Sequence, residues 1–141
     1  MLNDQHFSAA SAIHRKMYIS LTEVAELTDE LSQAVSRQDQ VAVRMFLSMR
    51  QEEIQRLTSY QAMLRRQCVQ LPGEDGALLR QMLSGQFSGT PPSPAGEELL
   101  RQVQRNRVLL DRVQRADQAV SRRLGGKNSF YAKGGKPSSK P

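Results

Sequence analysis

The segment Asp39–Leu71, DQVAVRMFLSMRQEEIQRLTSYQAMLRRQCVQL, decides how the chain folds. Steps of three and four from Leu47 reach Arg50, Ile54, Leu57, Gln61, Leu64, Cys68 and Leu71, a heptad seam with two polar interruptions. No Gly or Pro falls within its 33 residues. Good helix formers (Arg44, Gln51, Glu52, Glu53, Gln55, Arg56, Arg65, Arg66, Gln67) fill the other faces. Pattern and propensity agree on one helix, roughly 50 Å long at about 1.5 Å per residue. A lone amphipathic rod cannot bury its own stripe, so the rest of the chain is expected to lie against it.

On its N-terminal side, Met1 to about Phe7 reads as a loose start, and a first helix is expected from Ser8 onward. Its seam is Met17, Leu21, Val24, Thr28, Leu31 and Val35, widened by Tyr18 and Leu27. The pattern stops near Ser36-Arg37-Gln38, and the Asp39 carboxylate can cap the next helix. So short a connection favours an antiparallel hairpin over one bent helix.

On its C-terminal side, Pro72-Gly73-Glu74-Asp75-Gly76 ends the rod. Leu78, Leu79, Met82 and Leu83 then suggest two or three turns of helix. Ser84 to Ser93, rich in Gly, Ser, Thr and Pro, reads as a flexible linker. A third long helix follows over 94–126. Ser93 is its N-cap and Pro94 its first residue. Glu97 and Glu98 lie at the positive end of its dipole, Arg122 and Arg123 at the negative end, and Gly125-Gly126 stop it. Its seam is Leu99, Val103, Asn106, Leu110, Val113, Asp117, Val120 and Leu124. Lys127–Pro141 has no periodicity and is expected to be disordered. The fold class is therefore all-α: a helical hairpin with a short extra helix over 1–83, a linker over 84–93, a third long helix and a basic tail over 127–141.

Composition narrows the function. The chain has 141 residues, enough for one small domain, with no Trp and 5% aromatics, which argues against a small-molecule pocket. Four of the six excess positive charges are the lysines of the last fifteen residues, leaving the body near +2, where a nucleic-acid binder more often shows a basic face on its folded part. The single cysteine cannot form an internal disulfide and fits a reducing compartment. No run of about 18 apolar residues is present and no secretory signal is visible, so a cytoplasmic protein without membrane insertion is expected.

Little in the sequence could catalyse a reaction. His6 and His14 lack a carboxylate or cysteine at ligand spacing and read as surface or rim residues. Cys68 falls on a seam, where a small hydrophobe is expected. Glu52-Glu53 and Glu97-Glu98 point about 100° apart on a helix and do not converge. Ser84-Gly-Gln-Phe-Ser-Gly matches no phosphate loop. No enzyme activity, cofactor or metal is expected. Met17, Met45, Met49, Met63 and Met82 are expected chiefly to fill core gaps rather than to present an adaptable surface. Asn106 and Asp117 on the third seam would either fix register as buried polar groups or mark a seam half covered and awaiting a partner; the second reading is preferred. The tail either solubilises or docks through Phe130-Tyr131.

The hairpin and the last third together resemble the FlgN-type flagellar export chaperones. Leu99-Leu100, Asn106 and Leu109-Leu110 look like that family's C-terminal helix, and the ending Asn128-Ser-Phe-Tyr131-Ala-Lys-Gly134 is similar to its Tyr-then-Gly close. Gln38-Asp39, leading into a Glu/Gln-rich second helix, fits the hairpin. The resemblance extends over about residues 10–135. It implies a cytosolic chaperone that binds an amphipathic helical segment of hook-filament junction (hook-associated) subunits and delivers them to the type III export apparatus. On that reading Leu99, Val103, Leu110, Val113 and Val120 supply the groove, with Asp117 and Leu124 on the same seam. Asn106 sets register, and Tyr131 touches the export gate. Two other readings stand beside it. One is a structural coiled-coil scaffold, for instance a homodimer, with self-satisfied seams. The other is an anionic-surface or nucleic-acid binder using Arg101, Arg105, Arg112, Arg115, Arg122, Arg123 and the tail lysines.

Overall fold

A computed structural model describes residues 2–124, and among them every regular element is a helix. The elements are α1 (Asp4–Arg37), α2 (Gln40–Gln70), α3 (Gly73–Leu83) and α4 (Pro94–Leu124). The tail with Phe130 and Tyr131 lies outside the described residues.

The long helices pack with α1 in the middle. It buries twelve side chains, from Phe7 to Ala34, whereas α2 buries Val43, Arg50, Leu64 and Cys68 only. α2 and α4 each lie against α1 and meet one another through side chains alone. The expectation that everything lies against Asp39–Leu71 is corrected on this point. α1 carries fully buried small residues (Ala10, Ser11, Ser20, Ala34) among its large ones, which lets two backbones approach it from different sides. The seam of α2 serves one neighbour well, and its flanks stay wet.

Three apolar layers fix the directions. Leu31 and Ala34 meet Val43 and Val120; Leu21 and Val24 meet Leu109 and Val113; Phe7, Ala10 and Met17 meet Leu64, Cys68, Leu99 and Val103. Helix α2 is thus antiparallel to α1 and α4 parallel to it. Burying each Leu or Val here contributes about 1.5–3 kcal/mol against solvent.

The α1–α2 turn follows the sequence signals. Gln38 takes the left-handed conformation at φ 58°, and Asp39 Oδ1 accepts from Ala42 N at 3.1 Å. Ser93 caps α4, accepting from Gly96 N at 3.1 Å. Three boundaries differ from expectation. The start is not loose: Asn3 and His6 form a reciprocal cap on α1, and Phe7 is buried. The residues Gly73–Gly76 are the first turn of α3 rather than a turn before it. Glu74 and Asp75 suit that positive helix end, and Asp75 accepts from Leu2 N at 2.9 Å. The segment 84–93 is held to the body. Phe87 packs against the core, Arg107 donates to Ser84 O at 2.7 Å, and Ser93 Oγ donates to Asp4 at 2.6 Å.

Candidate functional site

Helix α3 leaves the top of α2 and runs back down between α2 and α4, touching both. Gly76 makes this possible, since a Cβ there would stand 2.6 Å from Cys68 O and 2.9 Å from Leu71 O. The descent ends at the level of Gln61 on α2 and Arg107 on α4. With 11 residues against 31 in each neighbour, α3 covers only the upper part of the channel between them. At about 1.5 Å per residue, some 20–30 Å of that channel lies below it.

The lower channel has a polar floor. The Arg50 guanidinium, 3% exposed as a residue, donates through Nε to Thr28 Oγ1 at 3.0 Å and pairs through Nη2 with Asp117. Thr28 in turn donates to Val24 O at 2.7 Å. One triad thereby ties α1, α2 and α4 at a single level, and it explains two polar entries in the seams, Arg50 and Asp117, together. Around it Leu47 and Ile54 are half-buried, and Leu110 is 39% exposed. Leu110 lies about one turn below Arg107 and two turns below Val103, on the α4 flank that faces α3.

A second polar level lies between α1 and α4. Asn106 Nδ2 donates to His14 O at 2.9 Å, and His14 Nδ1 lies 3.2 Å from Ala10 O. Asn106 Oδ1 and Ser11 Oγ are buried without a protein partner. Burial holds the His14 imidazole below its ordinary pKa of 6.5, only partly offset by the Ala10 carbonyl. His14 is therefore a core residue, not a rim residue. Its isolation from acids in the sequence hid this, whereas its place three residues before Met17 on the seam was the signal for it.

The residues assigned to a partner groove on α4 divide. Leu99, Val103, Asn106, Val113 and Val120 are buried inside this chain, packed on α1, and Asp117 and Leu124 are half-buried. Five of the eight seam residues are thus covered within the chain, while Leu110 is exposed and Asp117 and Leu124 are only partly covered. Leu109 takes the inward position expected of Leu110, which turns to the channel. Tyr131 lies outside the described residues. The methionines also divide, Met17 and Met82 being core while Met45 and Met49 are 50% and 41% exposed.

The arginines of α4 are largely engaged within the chain. Arg101 pairs with Glu97 and Glu98, Arg115 with Asp111, and Arg123 with the Ser32 and Ser36 hydroxyls. Arg105 stacks over Tyr18 at 3.7 Å. The Gln102 amide, with Arg101, holds the Glu98 carboxylate below its ordinary range. These contacts weaken the case for an anionic-surface binder. Among the described residues no three His, Cys, Asp or Glu side chains converge as a metal site, and no helix is long and apolar enough to cross a membrane.

Comparison with family models, with curated proteins and with solved structures gives no match to this chain.

Proposed function

We propose that the protein is a cytosolic export chaperone of the FlgN type, holding an amphipathic helical segment of hook-filament junction subunits and delivering them to the type III export apparatus. One observation carries the reading: α3 runs beside α2 and α4 for only the upper part of their length and no described helix takes its place below, where Leu110 is 39% exposed and Leu47 and Ile54 are half-buried. A client helix laid there completes four helices around the Arg50–Asp117 pair. Its i, i+3, i+4 side chains cover Leu47, Ile54 and Leu110, and its ordering cost keeps the complex releasable.

Because α4 is part of the core, the client occupies the channel beside α4 rather than replacing the partners of Leu99, Val103 and Val113. Burial of these seams within one chain also disfavours the coiled-coil scaffold reading, in which a second copy would cover them.

The test is co-elution of full-length protein with a purified hook-filament junction subunit. Leu110→Asp places a charge on a partly exposed position of α4 and is expected to cost the fold about 1–2 kcal/mol, short of unfolding it. It is expected to weaken the complex tenfold or more. Co-elution unaffected by Leu110→Asp places the client elsewhere, and no co-elution of the wild type rejects the reading.

A further inference from the structure

On the other flank of α3, a cavity of about 510 Å³ opens between its end and the C-terminal half of α2. Leu64 and Cys68 line it at 7% and 3% exposure, with half-buried Leu83 across from them. Val69 stands on its lip, 78% exposed, the most exposed large hydrophobic side chain among the described residues. Its charged lining is wholly cationic: Arg65 from α2 and Arg80 from α3. Neither guanidinium pairs with a carboxylate among the described residues. From Gln61 to Gly96 the only acids are Glu74 and Asp75, and these open α3 at its far end.

We propose that this cavity is a second docking site, taking an acidic amphipathic helix from a protein partner. One large aliphatic or aromatic side chain enters between Leu64, Cys68 and Leu83, and carboxylates one turn to either side pair with Arg65 and Arg80. The apolar floor supplies binding that salt does not screen, and the arginine rim selects the sign of the partner. A helix suits the site because the cavity runs between two helices, and no strand edge exists among the described residues. The site is separate from the channel at Leu110 and does not rest on the export-chaperone reading.

The competing occupant is a second copy of this chain. The outer face of α1 carries Ile19, 68% exposed, with exposed Glu23, Glu26 and Glu30 following on the same side. Docking that face into the cavity would be heterologous, each copy leaving a free cavity at one end and a free α1 face at the other. Such contacts propagate unless a rotation closes them, which favours a distinct partner.

The test uses full-length protein and a labelled amphipathic peptide of about 18 residues with leucines at helical spacing flanked by glutamates, plus a twin with lysine for every glutamate. Fluorescence anisotropy is expected to show binding of the acidic peptide only, weakened tenfold or more by Val69→Asp and by the Arg65→Glu/Arg80→Glu pair. Leu110→Asp is expected to leave it unchanged. Cys68, the only cysteine, reports occupancy directly: saturating acidic peptide slows its reaction with a maleimide. The proposal is overturned by absence of binding, by equal binding of the lysine twin, or by a Cys68 rate that ignores the peptide. Sedimentation showing self-association abolished by Val69→Asp would give the cavity to a second copy and overturn it equally.

Discussion

Arg50 shows how a residue that interrupts a pattern can organise it. Its guanidinium is held by Thr28 and Asp117 in the middle of the bundle, so removing the acid takes a carboxylate partner from a buried cation. Asp117→Ala is expected to cost about 2 kcal/mol in urea denaturation, less than a fully buried pair because the Asp117 side chain is 33% exposed. Adding Arg50→Met should restore the loss, since an apolar side chain of similar length needs no counter-charge. A double variant as unstable as the single would show that the triad contributes packing and not charge balance.

His14 gives the fold a pH dependence whose sign follows from its burial. Its folded pKa lies below the ordinary 6.5, so below that pH the unfolded chain binds the proton more readily than the fold does. Its contribution is present above pH 6.5 and is lost as pH falls through that value toward the lower folded one. Urea midpoints at neutral and mildly acidic pH should therefore diverge more for the wild type than for His14→Gln. Equal divergence would assign the acid sensitivity to the carboxylates. Gly76 is decided by space rather than charge. Gly76→Ala puts a methyl against two backbone carbonyls, and the shift of α3 should cost about 1–3 kcal/mol and speed maleimide labelling of Cys68.

At the scale of elements, helix ends were legible wherever a cap is local. Asp39 and Ser93 bond the backbone as their positions suggest, because a cap is settled within four residues. The α1 start was missed although Asn3 carries the same kind of signal, since its partner at the third helical position is His6 and not the usual Glu or Gln. The seam of α4 was read one residue off at a single point. From Asn106 to Val113 the steps can run four then three through Leu110, or three then four through Leu109, and both satisfy the heptad. Only contact with Leu21 and Val24 on α1 chooses Leu109. The role of α4 as core carries its own prediction. A chain ending at Gly89 bares the face of α1 that holds Ala10, Leu21 and Val24, and should lose its cooperative thermal transition by circular dichroism. A sharp transition near the full-length midpoint would mean that the hairpin folds alone and that α4 is an accessory.

For the whole molecule, a central α1 with α2 and α4 on either side leaves a channel that α3 fills in its upper part. Ligands that bind the fold and not the unfolded chain raise stability by mass action, about 2.7 kcal/mol at a hundredfold excess over Kd. A junction-subunit helix added to the full-length protein should accordingly raise its melting temperature, and Leu110→Asp should abolish that rise when each protein is measured against its own ligand-free midpoint. An unchanged melting temperature at saturating helix would remove the channel from consideration as the client site.

The sequence by itself determined the all-α class, the hairpin turn at Gln38-Asp39 and the capped start of α4, because period and capping are properties of neighbours within one or two turns. It also held every residue of both polar levels, but as isolated exceptions. Tertiary structure decided that α1 and not α2 is central, that Arg50 meets Asp117 across 67 positions, and that Asn106 meets His14 across 92. It decided as well that Leu110 faces outward while Leu99 and Val103 do not. The reason is physical. A seam states that a helix needs a neighbour, but which neighbour depends on how closely two backbones can approach. That is set jointly by small residues such as Ala10, Ala34 and Gly76 on helices far apart in the chain.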